Sequence, residues 1–318
     1  MELIIEGDSK LYYPVVQEGI KWTTERKGTP GKLTFKLIQD DLLEISEGNA
    51  VALKDDDGNN VFYGFIFTIK RDESSSVSVT AYDQTRYLKN KATYQYTKTA
   101  SDLLKMIAKD FELNVGEIAD TGYLIPSRLE DGNTLFDIMQ TALDLTLENT
   151  GELYVLYDDY GKLQISAIED MMVGILIDAD TAQKYDYESS IDSNTYNQIK
   201  LYYDNDSTGK RDVYLVKDSE HINEWGLLQY YESIQKGENG KSKADALLKL
   251  YNAKTKSLKV KNAIGDSRVR AGTMIAVQLN LGDITINNWM LVETAEHEYK
   301  ENEHWMDLKL RGGDINNA

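Results

Sequence analysis

Residues 235–248 read QKGENGKSKADALL, and Gly240, Lys241 and Ser242 fill the last three positions of the phosphate-binding pattern G-x-x-x-x-G-K-[ST]. In such a loop backbone N–H groups wrap the phosphates, the lysine reaches them and the hydroxyl holds Mg²⁺. The first glycine position here is Gln235. The chemistry also needs a parallel sheet with alternating strands and helices, and an acidic residue at a later strand end. The surrounding pattern offers neither. The alternative is a turn, KGENG, followed by a helix capped by Ser242, with Asp245 three residues on and Ala244, Leu247, Leu248 and Tyr251 facing the core. That alternative is the expectation.

Other stretches invite a cation. In DNDSTG, Asp204, Asp206 and Thr208 precede Gly209 as in a calcium loop, but the twelfth position is Leu215 instead of a bidentate glutamate. DDDGNN (55–60) would place Leu53 first and Gly64 last. Both are expected to be hairpin turns, with incidental Ca²⁺ affinity left open at 204–209. HEYKENEH (297–304) fails the zinc pattern H-E-x-x-H because position 301 is Glu. With Lys300–Glu303 as a hairpin loop, Tyr299 faces His304 and His297 faces Met306, and both histidines share a face with Leu291, Ala295, Leu308 and Leu310. Zinc asks for three or four protein ligands, so rim packing is expected instead. His221, in KDSEHINEW, is expected at the surface. G-x-S-x-G is absent, and no catalytic, cofactor-binding or metal-binding residue is assigned.

Composition narrows the function classes. The 318 residues carry 53 acidic and 35 basic side chains, a net charge of −18, which opposes a grip on nucleic acid or anionic lipid. The chain has no cysteine, so thiolate catalysis and Cys-based zinc sites are excluded. The N-terminus lacks a basic region followed by a long apolar stretch, and no apolar run is long enough for a membrane anchor. Synthesis in the bacterial cytoplasm is expected. With 21 tyrosines and 3 prolines, strands and contact surfaces should dominate.

Period-two alternation over LIIEG, GIKWTTER, KLTFKLI, VFYGFIFTIKR and SVSVTAYD predicts a first antiparallel, barrel-like β domain over residues 1–92. The period then changes. Leu103, Leu104, Ile107, Ala108 and Phe111 share one helical face with Thr99 as N-cap. Leu135, Ile138, Met139 and Ala142 share another, capped by Asn133 or Thr134 and ended by Gly151. With the hairpin ELYVLYDDYGKLQISAI they form an α+β insert over 93–172. Residues 173–318 return to mostly antiparallel strands with one helix at about 242–254. The fold class is mainly β with a two-helix α+β insert between two barrel-like domains.

The order of TASDLLKMIAKDFELNVGEI, DGNTLFDIMQTALDLT, GELYVLYDDYGKLQI, DSNTYNQIKLYY, KADALLKLYNAK, GDSRVRAGTMIAVQL and NWMLVETAEHEYKENEHWMDLKLRG resembles the XkdQ/YqbQ-like hub proteins of contractile phage tails. That group is similar to the late control protein D family and to the head of type VI secretion spike proteins. The resemblance covers nearly the whole chain. It implies a non-enzymatic homotrimer with a pseudo-sixfold ring, in the baseplate of a phage tail or tail-like bacteriocin. It also implies tail tube or tube-initiator, central spike, baseplate wedge and tape-measure proteins as partners, and no cofactor. A cell-wall glycan hydrolase and a carbohydrate-binding tail-tip protein are the competing expectations.

Overall fold

Alternating side chains decide the first seven strands: β1 (Glu2–Gly7), β2 (Lys10–Tyr12), β3 (Ile20–Glu25), β4 (Lys32–Ile38), β5 (Ala50–Lys54), β6 (Asn60–Arg71) and β7 (Ser76–Tyr82). Leu3, Ile5, Leu33, Phe35, Leu37, Val51, Leu53, Val77 and Val79 all point into one core, as period two requires. The structure is a computed structural model, and it describes the chain except residues 8–9, 18, 39–42, 72, 74–75, 206–208, 235–237, 283 and 313–318. The strands are hydrogen-bonded in the order β4-β7-β6-β5-β1-β2. Beyond β2 the chain bends back to β4. Val16 bridges Leu37, and Ile38 N–H donates to the Val15 carbonyl at 3.1 Å. This contact rolls the sheet into a barrel-like form.

The insert contains β8 (Lys91–Tyr96), α1 (Ala100–Asp110), β9 (Val115–Ile118), β10 (Arg128–Thr134), α2 (Leu135–Thr150), β11 (Tyr154–Asp158) and β12 (Leu163–Ala167). Thr99 caps α1 by accepting from Asp102 N–H, and Thr134, rather than Asn133, caps α2 by accepting from Asp137 N–H. Gly151 closes α2 in the left-handed region at φ 76°, where a Cβ would be strained. The apolar faces of both helices meet the β11–β12 hairpin in a core of Leu103, Leu104, Ile107, Leu135, Ile138, Leu163 and Ile165.

The remaining strands are β13 (Met172–Ile177), β14 (Ala182–Ser190), β15 (Gln198–Asn205), β16 (Lys210–Lys217), β17 (Gln229–Ser233), β18 (Thr255–Ile264), β19 (Met274–Asn280), β20 (Thr285–Lys300) and β21 (Glu303–Gly312), with helices α3 (Ser219–Trp225) and α4 (Gly240–Tyr251). Six of them run β13-β19-β20-β21-β18-β14 around Leu258, Val260, Ile275, Val277, Val292, Ala295 and Leu308. The other three form a separate sheet, β16-β15-β17, covered on one face by α4 through Ile199, Leu201, Ala244 and Leu247. Where a single helix was expected, α3 is a second. Asp218 caps it by accepting from Glu220 and His221 N–H, and none of its side chains is buried. Without a buried stripe it leaves no apolar period to detect.

The long strand β20 joins the two β regions. Its first half pairs with β19, its second half with β21, and Thr294–Tyr299 also pairs with Ile20–Glu25 of β3. Among the described residues a single sheet of 13 strands results. Tyr299, near the hairpin tip, packs in the core formed by the first strands.

Candidate assembly interface

The residues that suggested a phosphate loop are placed otherwise. The cap of α4 is Asn239, whose side chain accepts from Ser242 N–H at 3.2 Å; the expected cap, Ser242, sits in the first turn. Helix α4 therefore begins two residues earlier than its sequence suggested. A Cβ on Gly240 would lie 2.3 Å from Tyr214 Cδ2, so this glycine serves close packing of α4 on the sheet. Contrary to expectation, the strand before α4 does have a parallel neighbour, since β17 pairs with β15 in that sense. The electrostatics oppose a phosphate nonetheless. Lys241 is exposed, while Lys243 is buried with Nζ 3.4 Å from Glu148, 3.4 Å from Glu232 and 3.9 Å from Glu238. Burial works against the Lys243 charge, but the three carboxylates outweigh it and raise its pKa. Gln235 lies outside the described residues.

At the calcium-like loop, Asp204 is taken by Arg211, with Nε 2.6 Å and Nη2 2.8 Å from its two oxygens. Leu215 lies exposed on β16. Asp206 and Thr208 lie outside the described residues. In DDDGNN, Asp55 accepts from the backbone N–H groups of Asp57 and Asn59, from Asn59 Nδ2 and from Ser267 Oγ. Its carboxylate thus organises the turn and ties it to the β18–β19 connection. Among the described residues no group of three or more His, Asp or Glu gathers as a metal site.

The histidine hairpin has the expected register, with His297 opposite Met306 and Tyr299 opposite His304. The environment differs from a rim. His297 is fully buried, 4.7 Å from Trp22 between ring centroids. Its Nε2 lies 2.8 Å from the Val269 carbonyl and its Nδ1 2.8 Å from His304 Nε2. Burial holds the His297 pKa down to about 3 and that of His304 to about 4. His221 is half-buried, stacked on Trp225 at 3.9 Å, with Nδ1 2.7 Å from Asn252 Oδ1.

Polar groups that no motif flagged gather where the three regions meet. Asp83 follows β7 and is buried, Asp158 ends β11 with one oxygen buried and unpartnered, and Arg270 lies 4.4 Å over the Tyr157 ring. Burial raises the pKa of both carboxyls, with the Asp83 charge adding to the rise at Asp158. Beside them Gln84 donates to the carbonyls of Asn114 and Gly161 and accepts from Asn114 N–H. Thr24 Oγ1 accepts from Ala271 N–H at 2.8 Å. Arg26 grips Glu293 with Nε and Nη2 at 2.8 and 3.1 Å, and Arg311 Nε lies 2.9 Å from the same carboxylate. Each partner is distant in sequence, so spacing could not reveal these contacts.

Exposed apolar side chains line several surfaces. Leu11, Tyr13 and Val15 alternate along one extended stretch beside Ile38; Met172, Leu176, Tyr185 and Ile264 lie on β13, β14 and β18. Both sets lie in the two β regions.

Comparison with known proteins agrees with this architecture. A family model described as YqbQ-like matches residues 20–311. YqbQ of Bacillus subtilis (strain 168) is 29% identical over 322 residues, covering 98% of this chain and 96% of that protein. The phage-like element PBSX protein XkdQ of the same organism is 29% identical over 321 residues, with the same shares. The 43 kDa tail protein of prophage MuSo2 from Shewanella oneidensis superposes with a TM-score of 0.71 at 14% identity, covering 98% of each chain. At that identity the likeness is one of fold.

Proposed function

The chain belongs to the YqbQ-like family, and on that footing we propose that it is a structural phage-tail protein, the baseplate hub of a contractile tail or tail-like bacteriocin. In this reading residues 1–92 and 173–318 are tube domains and residues 93–172 a domain between them. Separate cores under each β region and under the insert support that division. Three copies would set six barrel-like units around one axis. Such a ring can meet a hexameric tail tube on one side and a trimeric spike on the other, because the two units of each copy are similar in build but not identical.

The observation that carries the reading is the β20–β3 ladder, which fixes the angle between the two β units within one chain. A symmetry adaptor needs that rigidity. The work is done by surfaces, with tube or tube-initiator, spike, wedge and tape-measure proteins as partners and the assembled particle as the location. Size-exclusion chromatography with light scattering on the full chain, and on hubs released from purified particles, tests it. A trimer is expected. A monomer in both preparations, or peptidoglycan hydrolysis by the purified chain, would overturn the proposal.

A further inference from the structure

The small sheet β16-β15-β17 is not hydrogen-bonded into the 13-stranded sheet, and α4 covers only one of its faces. Cross-strand register builds the other face as a grid. Lys217, Gln198 and Gln229 form one row, Leu215, Lys200 and Tyr231 the next, then Val213, Tyr202 and Ser233, then Arg211 opposite Asp204. Leu215, Val213 and Tyr231 are 52%, 49% and 50% exposed. The face is stiffened rather than loose. Tyr202 and Tyr231 stack at 4.9 Å, Arg211 lies 4.1 Å over Tyr202 with Nη1 3.3 Å from the Tyr231 hydroxyl, and Lys200 lies 5.7 Å over Tyr231.

Its charge is opposite to that of the molecule. Lys200, Lys217 and Arg211 against Asp204 leave this face with two net positive charges, on a chain whose total is −18. Arg211 is already satisfied by Asp204, so Lys200 and Lys217 are the cations left to meet a partner. An isologous contact would set this net positive face against an identical one, where like charges repel. A long polyanion would meet the field of the whole acidic chain. A short acidic segment with apolar side chains meets neither obstacle.

We propose that the outward face of β15, β16 and β17 is a docking surface for an acidic, partly apolar segment of a different protein of the particle. Its carboxylates pair with Lys200 and Lys217, and its apolar side chains cover Val213, Leu215 and Tyr231. The inference rests on the proposed function for the source of that partner.

The chain has no cysteine, so Leu215→Cys supplies a unique thiol on a face that is not part of the core. Maleimide labelling of this variant is to be compared between the isolated full chain and purified particles, followed by zero-length carbodiimide coupling and mass spectrometry. The expected result is labelling about tenfold or more slower in particles, and a Lys200 or Lys217 cross-link to an Asp or Glu of another particle protein. That cross-link should disappear in the Lys200→Gln/Lys217→Gln variant, with the circular dichroism unchanged. Equal labelling in both preparations, cross-links only to a second copy of this chain, or protection removed by nuclease would overturn the inference. Absence of the chain from particles would overturn the proposed function, and this inference with it.

Discussion

His297 and His304 share a hydrogen bond of 2.8 Å across the β20–β21 hairpin, from His304 Nε2 to His297 Nδ1. The direction follows from the far side of the ring, because a carbonyl can only accept and His297 Nε2 must donate to Val269. His297 is therefore the neutral Nε2–H tautomer, wedged beside Trp22 of β3. A ring expected to pack at the rim of a sheet face is instead a buried clasp between the two β regions.

Acid should weaken this clasp. Both rings have folded pKa values pushed below the ordinary 6.5, to about 3 and about 4, so the unfolded chain binds protons first as pH falls. Their contribution to stability is complete above about pH 6.5 and is lost progressively as pH falls towards 3. His297→Ala should cost about 3 kcal/mol at pH 7 through the cavity and the lost hydrogen bonds. Urea unfolding followed by tryptophan fluorescence measures it.

The carboxyl pair at the junction has the opposite slope. Burial raises both carboxyls above the unfolded value, with the Asp83 charge adding to the rise at Asp158, so the pair's contribution is fully present below about pH 4 and falls as pH rises through its titration. Asp158→Asn should flatten that fall and make the variant more stable than the parent at pH 8, by on the order of 1 kcal/mol. Melting curves at pH 5, 6.5 and 8 separate it from the histidine effect, which is confined to lower pH.

Lys243 holds three carboxylates from α2, β17 and the loop before α4. Lys243→Met keeps the stem but leaves buried negative charges unpaired. A loss of about 3–5 kcal/mol is expected from denaturant unfolding at pH 7, partly recovered when Glu148→Gln is added.

Capping distinguishes Asn239 from Ser242. Asn239→Ala should cost about 1 kcal/mol, whereas Ser242→Ala, at an exposed position inside the helix, should stay within about 0.5 kcal/mol. Thermal unfolding of the two variants under identical conditions reads the difference.

Local periodicity by itself determined much of this protein. Alternation placed Leu33, Phe35 and Leu37 inward on β4, the i, i+3, i+4 stripe of Leu103, Leu104 and Ile107 buried α1, and a hairpin turning over Lys300–Glu303 set His297 against Met306. These follow from neighbours a few residues apart, whose faces are dictated by backbone geometry. Helix α3, held by the Asp218 cap without a buried stripe, escaped that signal. Tertiary structure alone decided that β20 pairs with β3, that Asp83 meets Asp158 and Arg270, that Lys243 rather than Lys241 is enclosed by acids, and that Val213 and Leu215 stay uncovered. Such contacts join residues far apart in the chain, and a strand's pattern shows which side chains face inward but not which strand or partner lies alongside.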